Sequence, residues 1–94
     1  MAIPFEWDEE KAETNFKKHH VSFEETKSAF GDPFSITIDD PDHSVKEQRY
    51  IDIGKSDSGK LLVVVYTERG DTIRIISSRK ATSLERKKYE EQFK

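Results

Sequence analysis

Apolar positions recur with helical spacing in the first third of the chain and then switch to the alternation of strands. Asp8 has the character of a helix N-cap, with Glu9 and Glu10 favourably placed in the first turn. Ala12, Phe16 and His19 follow on one face, which predicts a helix over residues 9–20. Ser22 and Glu25 stand at capping-box spacing; Phe23, Thr26 and Phe30 make a short apolar stripe; Gly31-Asp32-Pro33 ends this second helix. Almost nothing joins the two, so a helical hairpin is expected. From residue 34 the period becomes that of strands. Phe34-Ser35-Ile36-Thr37-Ile38 alternates like a half-buried strand, Asp39-Asp40-Pro41-Asp42 is a turn, and residues 48–53 read as a second strand ended by Gly54. Ser56-Asp57-Ser58-Gly59 is a hairpin loop, and the apolar run 61–67 reads as a central strand covered on both faces. Arg69-Gly70 makes a tight turn, and residues 72–79 return as a fourth strand. Thr82 and Glu85 form another capping box, opening a last helix that runs to Phe93.

The pattern predicts an α+β fold in one domain, residues 1–94. Two N-terminal helices pack on an antiparallel meander of four strands, Phe5-Glu6-Trp7 is a candidate opening strand, and a helix closes the chain. Two-residue and four-residue loops would place Val65 opposite Arg74, Tyr66 opposite Ile73, Ile51 opposite Val64 and Tyr50 opposite Val65. One face then gathers Ile51, Ile53, Leu62, Val64, Ile73 and Ile75 as a platform for the helices. The other gathers Tyr50, Asp52, Val63, Val65, Arg74, Ile76 and Ser78. A one-residue slip at either loop exchanges these faces.

Composition narrows the chemistry. Of the 94 residues, 33% are hydrophobic and 37% charged, so a modest core carries a heavily charged surface. There is no cysteine, which excludes disulfides, thiolate catalysis and cysteine-bound zinc. No secretory signal is visible in MAIPFEWDEE, and the run Leu61 to Tyr66 is far too short to span a bilayer, so a cytoplasmic protein is expected. The formal net charge of -3 is unevenly spread. Residues 1–68 hold 8 Lys+Arg against 15 Asp+Glu, whereas residues 69–94 hold 8 against 4. A polyanionic partner therefore belongs with the C-terminal quarter, the plainer reading being a solvated charged helix.

Catalytic candidates are few. His19 and His20 are adjacent and cannot share a metal on a helix, and the i, i+4 histidine pair of helical zinc sites is missing. His43, in an acidic loop, is the candidate general base, against the plainer reading of a loop histidine. No glycine-rich phosphate loop is present, since Gly31, Gly54, Gly59 and Gly70 all read as turn residues, and Ser77-Ser78 lack a nucleophile elbow. What remains is a set of arginines and tyrosines: Arg49, Tyr50, Tyr66, Arg69, Arg74, Arg79, Arg86 and Tyr89. Guanidinium groups bind phosphate bidentately and stabilise the charge of a phosphoryl transition state, and tyrosines stack on unpaired bases. A ribonuclease that uses the 2′-hydroxyl of its substrate needs little more, and no metal or cofactor is called for. The competing reading is that these arginines form surface ion pairs with the 19 acids.

The chain resembles BrnT-type toxins. Phe5-Glu6-Trp7-Asp8, Lys11-Ala12, Asn15, Lys18-His19 and Val21-Ser22-Phe23-Glu24-Glu25 resemble their opening. Phe30-x-Asp32-Pro33, Glu47-x-Arg49-Tyr50, Gly54-x-Ser56 and Leu62 to Thr67 continue the match. Arg74-Ile75-Ile76-Ser77-x-Arg79-x-Ala81-Thr82-x-x-Glu85-Arg86-x-x-Tyr89 closes it. The resemblance implies a RelE/ParE-like fold and a ribonuclease that arrests translation and growth. It also implies a BrnA-like ribbon-helix-helix antitoxin in a complex of two toxins and two antitoxins, with operator DNA touched only through the antitoxin. Arg49, Tyr66, Arg74 and Arg79 are then the catalytic candidates, and Tyr50, Arg69, Arg86 and Tyr89 the RNA-contact candidates. The alternatives are a catalytically inactive partner-binding module of the same fold, or a toxin acting on another target such as gyrase. The chain departs from the pattern at His20, where the family usually has glycine, and at Ser78, where it usually has alanine.

Overall fold

A computed structural model describes residues 3–39 and 48–93. In chain order the elements are β1 (Phe5–Glu6), α1 (Glu9–His19), α2 (Phe23–Ala29), β2 (Ile36–Asp39), β3 (Arg49–Lys55), β4 (Leu61–Arg69), β5 (Thr72–Lys80) and α3 (Ser83–Glu90). A 3₁₀ turn over Glu91–Phe93 follows α3. The strands form one sheet in the order β1-β5-β4-β3-β2, antiparallel except where β1 runs parallel to β5 with Phe5 opposite Ile73. The expected helices and meander are all present, and the opening strand makes the sheet five-stranded and mixed. Among the described residues, no helix is long and apolar enough to cross a membrane.

The helix ends follow from their capping residues. Asp8 accepts from the N–H of Glu10 at 2.8 Å, and Ser22 Oγ accepts from Glu25 N–H at 3.1 Å. Glu25 does not complete the second box. Its carboxylate crosses to the Ser56 and Ser58 hydroxyls and to Lys60, which hold it below the usual carboxylate range, Ser58 most strongly. In α3 the box is complete: Thr82 Oγ1 accepts from Glu85 N–H, and Glu85 accepts from Thr82 N–H at 2.9 Å. Helix α1 ends at His20, whose φ of 59° lies in the left-handed region that favours glycine.

Strand pairing corrects the expected register. The β3–β4 loop holds five residues between the last ladder pair, Lys55 and Leu61, because Ser56 N–H bonds to Lys60 C=O around a turn with Gly59 at positive φ. Ile51 therefore faces Val65 and Tyr50 faces Tyr66. An odd loop moves every β3 side chain to the other face. In the last hairpin Arg69 pairs with Thr72, so the turn is Gly70-Asp71, and Thr67, not Val65, lies opposite Arg74. A bulge then inserts Ile76 between the Tyr66–Ile75 and Val65–Ser77 pairs. Gly54, expected as a turn, sits inside β3 facing α2, where a Cβ would come within 2.7 Å of Ala29 O.

Helices α1 and α2 cover one face of the sheet, where Val21, Phe23 and Ala29 pack on Leu62, Val64, Tyr66 and Ile75. Helix α3 covers part of the other, with Tyr89 on Ile53, Leu61 and Val63. Where β1 ends, α1 takes over the edge of β5. The buried Asn15 donates from Nδ2 to the carbonyls of Val21 (3.0 Å) and Ser78 (2.9 Å), and its Oδ1 accepts Ser78 N–H at 3.1 Å. Beside it Thr26 Oγ1 donates to Ser78 Oγ at 2.8 Å.

Candidate nucleic-acid interface

The sheet sorts the arginine and tyrosine set by face. On the α3 side, the ladder aligns Arg49 with Thr67, Thr67 with Arg74, and Arg74 with Glu6. This row crosses four strands. Two arginines thus flank Thr67, whose hydroxyl is turned back onto Gln48 C=O at 2.7 Å. The Glu6 carboxylate accepts from Arg74 Nη1 at 2.5 Å, and Arg69 Nη1 approaches the same oxygen at 3.9 Å. A cluster of guanidinium groups is therefore gathered at the Gly70 end of the sheet around one acidic side chain.

Arg79 lies further along β5, opposite Val63 on the same face. It makes a fork-to-fork pair with Glu85 of α3, both N–O distances being 2.8 Å. The hydrogen bonds from Arg79 pull the Glu85 carboxyl down to about 2. The pair fixes the guanidinium plane at the base of α3. Between Arg79 and the Arg49–Arg74 row, the face is floored by Ile51 and Val65 and left uncovered by the helix.

The tyrosines are elsewhere. Tyr50 and Tyr66 stack on the α2 side, 5.5 Å between centroids, with Phe30 edge-on to Tyr66 at 5.0 Å. Tyr66 is 8% exposed, and burial first, then the charge of Asp52, pushes its hydroxyl up to about 12. Tyr89 is 5% exposed and donates to Asp32 Oδ2 at 2.6 Å, which pins α3 to the α2–β2 turn. Although burial works against it, Asp32 is held below the usual carboxylate range by Tyr89 and by the N–H groups of Lys55 and Phe34. Arg86 is exposed on α3. His43 lies outside the described residues. The structure thus brings Arg49, Arg69, Arg74 and Arg79 to one face, and sets Tyr50 and Tyr66 on the other.

Sequence reasoning passed over Asn15 as a positioning group, and Ser77 and Lys88 as neighbours of Arg79. Lys88 was visible only as one cation in a charged helix; its place beside the sheet depends on where α3 docks. Asp52 is 2% exposed with Thr37 Oγ1 donating to it at 2.6 Å, and burial raises its carboxyl despite that bond. Among the described residues, no three His, Asp or Glu side chains are grouped as a metal site would need.

Residues 7–85 match the family model described as the ribonuclease toxin, BrnT, of type II toxin–antitoxin systems. Among solved structures, the chain is similar to the ribonuclease toxin BrnT of Brucella abortus. The likeness covers 86% of this chain and 99% of that one, with a TM-score of 0.63 and 24% identity. It is a likeness of fold. No curated protein sequence matches.

Proposed function

Because the chain belongs to the BrnT family of ribonuclease toxins of type II toxin–antitoxin systems, we propose that it cleaves RNA on the α3 side of its sheet and thereby arrests growth. The observation that carries the reading is the row in which Arg49 and Arg74 flank Thr67 in direct register. Arginines carried in register on either side of one strand suit a phosphodiester whose charge grows in the transition state. In the step proposed, the 2′-oxygen of the substrate forms a bond to the adjacent phosphorus and the bond to the 5′-oxygen breaks. A 2′,3′-cyclic phosphate and a 5′-hydroxyl end result. The proton leaving the 2′-hydroxyl returns to the 5′-oxygen, and His43 is the candidate to carry it. Arg74 and Arg79 start out bound to Glu6 and Glu85, so the phosphate competes with these carboxylates. Tyr66 and Tyr89 are assigned to the core and to the docking of α3, while Arg69 and Arg86 remain RNA contacts.

The arginines take the charge-stabilising part a metal ion plays elsewhere, so cleavage is expected to survive EDTA. A type II family carries an antitoxin partner. The reading adds that this partner is a BrnA-like ribbon-helix-helix protein, joined two-to-two with the toxin in the cytoplasm and alone in touching operator DNA. The helices and mixed sheet of the described residues support the reading of a RelE/ParE-like fold.

Expression of the chain in bacteria tests the proposal. Growth arrest with RNA decay is expected, and Arg74→Ala should lower cleavage by purified protein about 100-fold with unchanged circular dichroism. Cleavage that Arg49→Ala and Arg74→Ala both leave intact would overturn the site. Arrest with intact RNA and damaged DNA would point to a topoisomerase target, and no effect at all to an inactive binding module.

A further inference from the structure

Between the start of α3 and the sheet lies an open hollow of about 420 Å³. Its floor is Ile38, Ile51 and Val65, its wall is Leu84, and Ser77 and Lys88 stand at its rim. Leu84 is 79% exposed on a helix otherwise made of charged and polar residues apart from the buried Tyr89. An aliphatic side chain left open beside an aliphatic floor marks a contact surface.

Position says what seats there. The Ile51–Val65 pair is two residues along the strands from the Arg49–Thr67 pair and on the same face. That step is about 7 Å. A phosphate held by the arginine row therefore has the hollow next to it, within the reach of the sugar and base of one nucleotide. On its far side Lys88 and the Arg79–Glu85 pair line the hollow, and Lys88 offers positive charge to the following phosphate. An apolar slot with a few polar groups at its edge, between two cationic positions, has the make-up of a small heterocycle site.

We propose that this hollow is a nucleobase subsite, in which one unpaired base of the RNA lies between Leu84 and the Ile51–Val65 floor. The subsite rests on the ribonuclease reading above and deepens it. Because a base in a duplex cannot enter, the substrate is single-stranded at that nucleotide. Ser77 and Lys88 meet the base edge and its phosphate.

The test uses short single-stranded RNA made uncleavable by 2′-fluoro substitution throughout, with binding read by fluorescence anisotropy. One position at a time is replaced by an abasic residue. At one position the wild-type chain should lose about 10-fold in affinity. Leu84→Ser, at so exposed a position, leaves the fold intact; it should bind the complete and abasic oligonucleotides equally well. Lys88→Gln should weaken both by the same factor and reduce the salt dependence. The subsite is overturned if no abasic position matters, or if Leu84→Ser keeps the full penalty. It is also overturned if Leu84→Ser binds RNA normally but loses protection by the antitoxin, which would make the hollow a protein-docking site. In each of those cases the wild-type chain still cleaves intact RNA and the ribonuclease reading stands. Failure to cleave or bind any RNA removes both.

Discussion

Removing the Asn15 amide should cost as much as truncating a large buried apolar side chain. The side chain is 7% exposed and makes three hydrogen bonds to main-chain groups, two on Ser78 and one on Val21. In Asn15→Leu the volume is kept, but these groups lose their partner in a region closed by α1 and α2. Each bond is worth about 1 kcal/mol net, and each stranded buried group adds a desolvation cost of about 1–3 kcal/mol. With partial relaxation toward water, the expected loss is about 3–5 kcal/mol. That is a large share of the 5–15 kcal/mol typical of whole domains. Urea unfolding followed by circular dichroism measures it. With a slope of about 1–1.5 kcal/mol/M the midpoint falls by roughly 2 M or more. Asn15→Asp separates bonding from shape. It keeps the acceptor for Ser78 N–H but turns a carboxylate toward two carbonyls, so it should be no more stable than the leucine variant at neutral pH. A leucine variant within about 1 kcal/mol of the wild-type chain would refute the reasoning, since volume would then suffice.

His20→Gly should stabilise the chain by about 1 kcal/mol, raising the thermal midpoint by several degrees, because glycine carries no penalty at the left-handed end of α1. The edge contact of the imidazole with Phe16, 6.3 Å between centroids, is the small loss set against that gain. Acid titration of stability should report the Arg79–Glu85 pair. The folded Glu85 carboxyl lies near 2 against 4.5 unperturbed, so the folded state binds fewer protons. The contribution is complete above about 4.5, shrinks as the pH falls, and is gone below about 2. Glu85→Gln should flatten that part of the curve; an unchanged slope would mean the pair contributes nothing.

The elements were legible because each has a strong local signature: caps at Asp8, Ser22 and Thr82, alternation in β2, and an unbroken apolar run in β4. Register was not legible, because it depends on loop parity. A loop of five residues in place of four reversed β3, carrying Tyr50 to the helices and Arg49 to the open face. The grouping of Leu62, Val64, Ile73 and Ile75 survived, since the last hairpin shifted by an even step. The bulge at Ile76 has no sequence mark and moves Ser78 inward. For the candidate site, residue types pointed to the arginines. Their separation from the tyrosines required the pairing itself. Asn15 stood among the residues that carry the family resemblance, but its partner Ser78 lies 63 positions away.

One carboxylate serves two structures. Glu85 closes the first turn of α3 through Thr82 N–H and holds the Arg79 guanidinium. The helix and the arginine are therefore thermodynamically linked. Any anion that draws Arg79 away leaves the carboxylate to the helix cap alone, and any change that frays the first turn releases the arginine. The strength with which Arg79 meets a phosphate is set by how firmly α3 begins, and a binding partner that touched only the end of this helix would alter the open face without covering it.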